Sequence, residues 1–141
     1  MNSNDTTNQV TKRFSRFLIK QGSVINGKYE KNKTVGTGYL CEGHIVHTLR
    51  LWTFLDQKYY LVPDKTNGKL FSIMTREPNK SPKSQNKYLW NVVGTGKLES
   101  QFGHVRLDFH LLDKPLFMNI FPEMKVTPKN LFKPEEHFVV L

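Results

Sequence analysis

The chain has 141 residues, enough for one domain with a sizeable core, and its 38% hydrophobic and 12% aromatic content excludes a mainly disordered protein. A single cysteine, Cys41, excludes an internal disulfide framework, and no apolar run approaches the roughly 20 residues that span a bilayer. The formal net charge of +9 leaves nucleic acid, an anionic membrane surface or an acidic protein as partners. The polar start lacks a signal-peptide pattern, so we expect a cytoplasmic protein without a transmembrane segment.

The positive charge is concentrated in two segments. The first carries +6 and consists of Lys12, Arg13, Arg16, Lys20, Lys28, Lys31 and Lys33 against Glu30. The second carries +3 and consists of Arg76, Lys80, Lys83 and Lys87 against Glu77. The rest of the chain is neutral. Such clustering is typical of a surface that binds a polyanion, because each neutralised phosphate releases condensed counterions.

The N-terminal part divides into three elements. Residues 1–11 are polar and predict a disordered tail. Residues 12–20 place Phe14, Phe17 and Leu18 at helical spacing among basic residues, which favours a short amphipathic helix, with an irregular strand as the alternative. Asn26-Gly27 then predicts a tight β-hairpin, because type I′ turns need positive φ at both central residues.

From residue 34 onward the pattern is mostly β, and residues 12–141 predict one domain. We expect strands at 34–41, 45–55, 58–62, 69–74, 88–98, 105–112 and 116–121. A second Asn-Gly pair, Asn67-Gly68, separates two of them. This predicts a mainly antiparallel protein, most simply a small barrel of five to seven strands. An OB-like barrel is the expected form and a β-sandwich the alternative.

A Val-Gly-Thr-Gly-x-Leu sequence occurs twice, at 35–40 and at 93–98. A Gly-His pair follows each copy, but the spacings between the shared blocks differ. Internal duplication is one interpretation, and coincidence in a β-rich chain is the other. The dinucleotide and Walker A patterns are not met, so we expect these glycines to mark bends in strands and expect no bound cofactor.

Residues 75–87 predict a long, exposed basic loop, because they are polar and contain two prolines. Tyr88 and Trp90 follow directly and share one face of a strand, where they are candidates for stacking on bases. Tyr59 and Tyr60 are adjacent and must point to opposite faces, so one of them is a third candidate. Burial in the core is the alternative for every one of these rings.

Two arrangements would indicate an enzyme. Cys41, His44 and His47 have the residue types of a zinc site, but residues 44 and 47 would point to opposite faces of a strand. Asp56, Asp108, Asp113 and His110 could converge only through the fold. We therefore expect neither a metal site nor an enzyme, with a metal-assisted hydrolase as the alternative.

The sequence as a whole predicts a non-enzymatic nucleic-acid-binding protein, with single-stranded DNA or RNA favoured. Cations of the two basic segments would contact phosphates, and Tyr88, Trp90 and either Tyr59 or Tyr60 would stack on bases. The alternative is a protein-interaction module, an adaptor or inhibitor, whose basic face docks an acidic protein.

Overall fold

A computed structural model describes residues 13–126 except 82 and 84. The predicted disordered tail at 1–11 and Lys12 lie outside these residues. The strands are β1 (Phe14–Ile25), β2 (Lys28–Cys41), β3 (His47–Leu51), β4 (Tyr59–Pro63), β5 (Leu70–Pro78), β6 (Tyr88–Glu99), β7 (His104–Phe109), β8 (Leu116–Asn119) and β9 (Met124–Val126). Two 3₁₀ turns, Trp52–Phe54 and Ser100–Phe102, complete the regular structure.

Strands β1 to β8 form a closed antiparallel barrel in which each strand pairs with its neighbours along the chain. Pairing of β1 with both β2 and β8 closes the ring, and β9 pairs with the start of β1. The prediction of a small antiparallel barrel is therefore confirmed. Eight strands exceed the predicted five to seven, and the next-neighbour order does not confirm the OB-like form, which has five strands in a Greek key.

The predicted N-terminal helix is wrong. Residues 14–25 form β1, and Phe17 and Ile19 alternate inward while Arg16 and Leu18 lie outside. Pairing with the glycine-containing β2 over most of its length decides this conformation. The predicted strand at 45–55 is also too long, because Trp52 and Phe54 lie in the 3₁₀ turn and are exposed. Among the described residues, no helix is long and apolar enough to cross a membrane.

The barrel interior is filled by aliphatic and aromatic side chains. They are Phe17, Ile19, Leu49, Leu51, Leu61, Ile73, Val105, Leu107, Phe109, Leu116 and Met118. In β4 and β8, the side chains on both faces of the strand are at least partly buried. Tyr60 and Phe117 point outward between inward neighbours, so each must be covered by something outside the barrel.

The repeated glycine sequences occupy matching places in two halves of the barrel, β1–β4 and β5–β8. A β-bulge leaves Val35 unpaired beside the Ile19–Gly36 pair, and another leaves Val93 unpaired beside the Ile73–Gly94 pair. A Cβ atom at Gly36 would collide with the carbonyl oxygen of Arg50, and one at Gly94 with that of Asp108. The glycines thus allow close backbone approach at a bend, as the sequence predicts.

Beyond each bulge the two strands continue as a hairpin. We call residues 20–34 the first outer hairpin and residues 74–92 the second outer hairpin. The first turns at Asn26 and Gly27, which have φ of 52° and 75°, so the predicted tight turn is confirmed. Lys20 is paired with Phe117 and Met74 with Tyr60, so the two outward aromatic residues stand at equivalent positions. Each outer hairpin contacts one of them.

Candidate nucleic-acid interface

Four residues meet on the outside of the barrel, and we call them the aromatic–arginine cluster: Tyr60, Arg76, Tyr88 and Trp90. The Arg76 guanidinium carbon lies 4.2 Å from the centre of the Tyr88 ring, 5.0 Å from that of Tyr60 and 5.7 Å from that of Trp90. The Tyr60 and Trp90 rings meet edge to face at 5.5 Å. One cation therefore lies among three aromatic rings.

Strand register explains why these residues come together. Arg76 is paired with Trp90 across β5 and β6, and Tyr88 lies two residues before Trp90 on the same face. Tyr60 belongs to β4 and is paired with Met74, two residues before Arg76. The neighbouring Tyr59 points inward, with its ring 5.1 Å from that of Phe109. Of the adjacent tyrosines, Tyr60 is thus the outward one.

The cluster is open to solvent. Tyr88 is 39% exposed and Trp90 46% exposed, and Arg76 is exposed as well. Among the described residues, no carboxylate forms an ion pair with Arg76. Stacking restricts the guanidinium while leaving its N–H groups without an acidic partner. This arrangement suits a phosphate or a carboxylate, together with a base stacked on a neighbouring ring.

The basic loop extends from this cluster. The strand pairing of β5 and β6 continues to Pro78 and Tyr88, so the loop is shorter than the predicted 75–87. Asn79 closes it by donating its backbone N–H to Lys87 O and its side-chain amide to Asn86 O. Lys80, Lys83 and Lys87 are exposed. Arg76 and these lysines therefore lie on one hairpin.

The cations of the first basic segment do not form one patch. Arg13 is exposed at the start of β1, and Arg16 pairs with Glu123 at 3.4 Å. Lys20 is half-buried beside the first bulge. Lys28 and Lys33 are exposed on the first outer hairpin, and Lys31 belongs to the same strand, β2. Cations that are close together in the sequence therefore lie in two separate regions of the fold.

A second cluster on the outside of the barrel was not anticipated from the sequence, and we call it the tyrosine clasp: Tyr29, Glu99, Phe102, His104 and Phe117. The Tyr29 ring lies 4.7 Å from that of Phe117, 4.3 Å from His104 and 4.5 Å from Phe102. Its hydroxyl donates to Glu99 Oε1 at 2.7 Å, and His104 Nε2 lies 2.8 Å from the same oxygen. The clasp fixes the first outer hairpin against β6, β7 and β8.

Burial and hydrogen bonding shift the acid–base properties of the clasp. Burial, the hydrogen bond to Glu99 and the charge of Glu99 raise the pKa of Tyr29 to about 12. Burial alone would raise the pKa of Glu99, but hydrogen bonds from His104 and Tyr29 lower it below its usual value. His104 is fully buried. The clasp is therefore a closed structural contact, whereas the aromatic–arginine cluster is accessible.

The residues considered for a metal site do not converge. The His44 backbone N–H donates to Cys41 O in an exposed turn, and the His47 ring packs against Phe17 at 5.2 Å. Burial lowers the pKa of His47. No group of three histidine, cysteine or acidic side chains suited to a metal occurs within the described part of the chain. Asp108 instead pairs with Arg106 at 3.1 Å.

One end of the barrel presents an apolar surface. The β3–β4 and β7–β8 connections contribute Phe54, Leu55 and Leu111, all exposed. A cavity of about 520 Å³ opens there, between Phe54, Tyr59 and other apolar side chains, with His110 among its lining residues. Nothing in the sequence pattern indicated this surface, because its residues lie in separate connections.

Comparison of the chain with models of protein families, with curated proteins and with solved structures found no match.

Proposed function

We propose that the protein binds single-stranded nucleic acid at the aromatic–arginine cluster and the adjacent basic loop. The observation that supports this most directly is the Arg76 guanidinium among the rings of Tyr60, Tyr88 and Trp90. Exposed aromatic rings stack on bases of any sequence, and a stacked arginine offers its edge to a phosphate. Exposed lysines of the loop add reach and charge.

The two tryptophans provide a matched test. Trp90 in the cluster is 46% exposed and Trp52 at the barrel end is 45% exposed. Fluorescence anisotropy with labelled single-stranded DNA and RNA should show binding that weakens steeply with salt. Trp90→Ala should weaken it by about 1–3 kcal/mol, which is roughly 5- to 150-fold, because one base loses its stacking partner. Trp52→Ala should bind like the wild type.

Two results would contradict the proposal. The first is no binding of either nucleic acid at low salt. The second is an equal loss of affinity in Trp90→Ala and Trp52→Ala, which would show that binding occurs elsewhere or is nonspecific. Duplex DNA as competitor tests the preference for single strands, since duplex should displace the labelled strand poorly if base stacking is required.

The second candidate function is a protein-interaction module, and the exposed apolar end of the barrel with Phe54, Leu55 and Leu111 favours it. An acidic protein would then contact the cations while apolar side chains dock at this end. The ratio of absorbance at 260 and 280 nm of the freshly purified protein separates the two candidates. Copurifying nucleic acid supports the first, and its absence together with failed oligonucleotide binding supports the second.

A further inference from the structure

The two outer hairpins contact opposite ends of one strand, β6. The second outer hairpin places Arg76 beside Trp90, near the beginning of β6. The first outer hairpin reaches the end of the same strand, because Tyr29 donates a hydrogen bond to Glu99 at 2.7 Å. Lys28 precedes Tyr29 and is exposed, but it points to the opposite face of β2, away from Glu99. Two segments that are distant in sequence thus contact one continuous strand.

The outer face between these ends carries a further cation. Gly94 and Gly96 are buried against interior neighbours, so Thr95 and Lys97 point outward, and both are exposed. They line a depression of about 580 Å³ on the outside of β5, β6 and β7. Two carboxylates also line it, but Asp108 pairs with Arg106 and Asp64 accepts the Thr66 N–H within its own loop. Among the described residues, Lys97 forms no ion pair.

We propose that the bound single strand follows β6 from the aromatic–arginine cluster to the end of that strand, with Lys97 as a second phosphate-binding site. This inference rests on the proposed function. At about 3.3 Å per residue, the strand from Trp90 to Glu99 spans at most about 30 Å. A stacked strand advances about 3.4 Å per nucleotide, so the complete site holds about nine nucleotides.

Oligonucleotide length separates this inference from the proposed function. An oligonucleotide of about four nucleotides covers the cluster alone, and one of about sixteen covers the whole path. The wild type should bind the longer one more tightly and with a steeper salt dependence. Lys97→Glu should reduce the salt slope for the long oligonucleotide by about one and leave the short one unaffected.

Lys114→Glu is the matched control, because it makes the same charge change at an exposed residue in the β7–β8 connection, off the path. Circular dichroism of each variant checks that the barrel is intact. The second site is refuted if short and long oligonucleotides bind alike, or if Lys114→Glu matches Lys97→Glu, and the cluster then remains the binding site. If neither oligonucleotide binds the wild type, the proposed function fails and this inference with it.

Discussion

The two outer hairpins start from equivalent bulges, but one is covered and the other is exposed. In both, an aromatic residue of the hairpin contacts an outward aromatic residue of a neighbouring barrel strand: Tyr29 with Phe117, and Trp90 with Tyr60. Phe117 is only 2% exposed, whereas its counterpart Tyr60 is half-buried and the contacting Trp90 is 46% exposed. One hairpin is closed over the barrel and the other leaves its aromatic face open.

The two outer hairpins differ in exposure because the residues that contact them differ. The first outer hairpin contacts Phe102 and His104, whose rings pack against Tyr29, and Glu99, which accepts a hydrogen bond from the Tyr29 hydroxyl. The second outer hairpin has Arg76 in place of such partners, and a guanidinium keeps its N–H groups in water. The aromatic contact of the first outer hairpin is covered by a carboxylate and further rings, whereas that of the second stays exposed beside a cation.

Truncation of the two equivalent aromatic residues tests this contrast most strongly. Phe117→Ala should lower the free energy of unfolding by about 3–5 kcal/mol, because it empties a buried site. Tyr60→Ala should lower it by only about 1 kcal/mol, the range of one aromatic contact at a partly exposed site. Urea denaturation of both variants measures the difference. Equal losses would show that the second outer hairpin is closed as firmly as the first.

Removing the shared carboxylate should have the next largest effect. Glu99→Ala leaves the Tyr29 hydroxyl and the His104 Nε2 without their acceptor and should lower the free energy of unfolding by about 1–3 kcal/mol. Tyr29→Phe alone should lower the free energy of unfolding by about 1 kcal/mol, and it should lower it much less when Glu99→Ala is already present. Glu77→Ala on the second outer hairpin is the control and should change stability by less than about 0.5 kcal/mol. Additive losses of the two clasp substitutions would argue against a direct coupling.

The sequence predicts local features of this fold well. Asn26-Gly27 marks the turn of the first outer hairpin, since two residues with positive φ leave few alternatives. The glycines at 36 and 94 are correctly expected to be bends in strands rather than phosphate loops. Tyr88 and Trp90 share a face because side chains alternate along any strand. Whether nucleic acid stacks on that face stays a prediction.

What the sequence could not predict depends on distant contacts. Phe14, Phe17 and Leu18 fit a helix as well as a strand, because a short apolar run does not distinguish the two periods, and pairing with β2 decides. The tyrosine clasp joins Tyr29 to Glu99, 70 residues away, so no local sequence pattern indicates this contact. The two bulges occur at equivalent positions, as an internal duplication would produce. Duplication stays a prediction, because matching geometry also arises when two strands bend at the same place in a barrel.

The smallest expected effect is a change of stability in alkaline solution. Because the pKa of Tyr29 is raised from 10.0 to about 12, the folded state favours the neutral phenol. The stability that this gives is fully present below pH 10 and is lost as the pH rises through about 12. The difference in unfolding free energy between the wild type and Tyr29→Phe should therefore shrink over that interval.

Ultraviolet absorbance of the phenolate measures the same group directly. In the wild type, one tyrosine should ionise at about pH 12, and Tyr29→Phe should lack this step. Glu99→Ala should move the step toward lower pH, because the hydrogen bond and the negative charge that hold the proton are removed. Titration of Tyr29 at its ordinary pKa in the wild type would mean that the clasp opens in solution. The first outer hairpin would then resemble the second, and the contrast between a closed and an open hairpin would be lost.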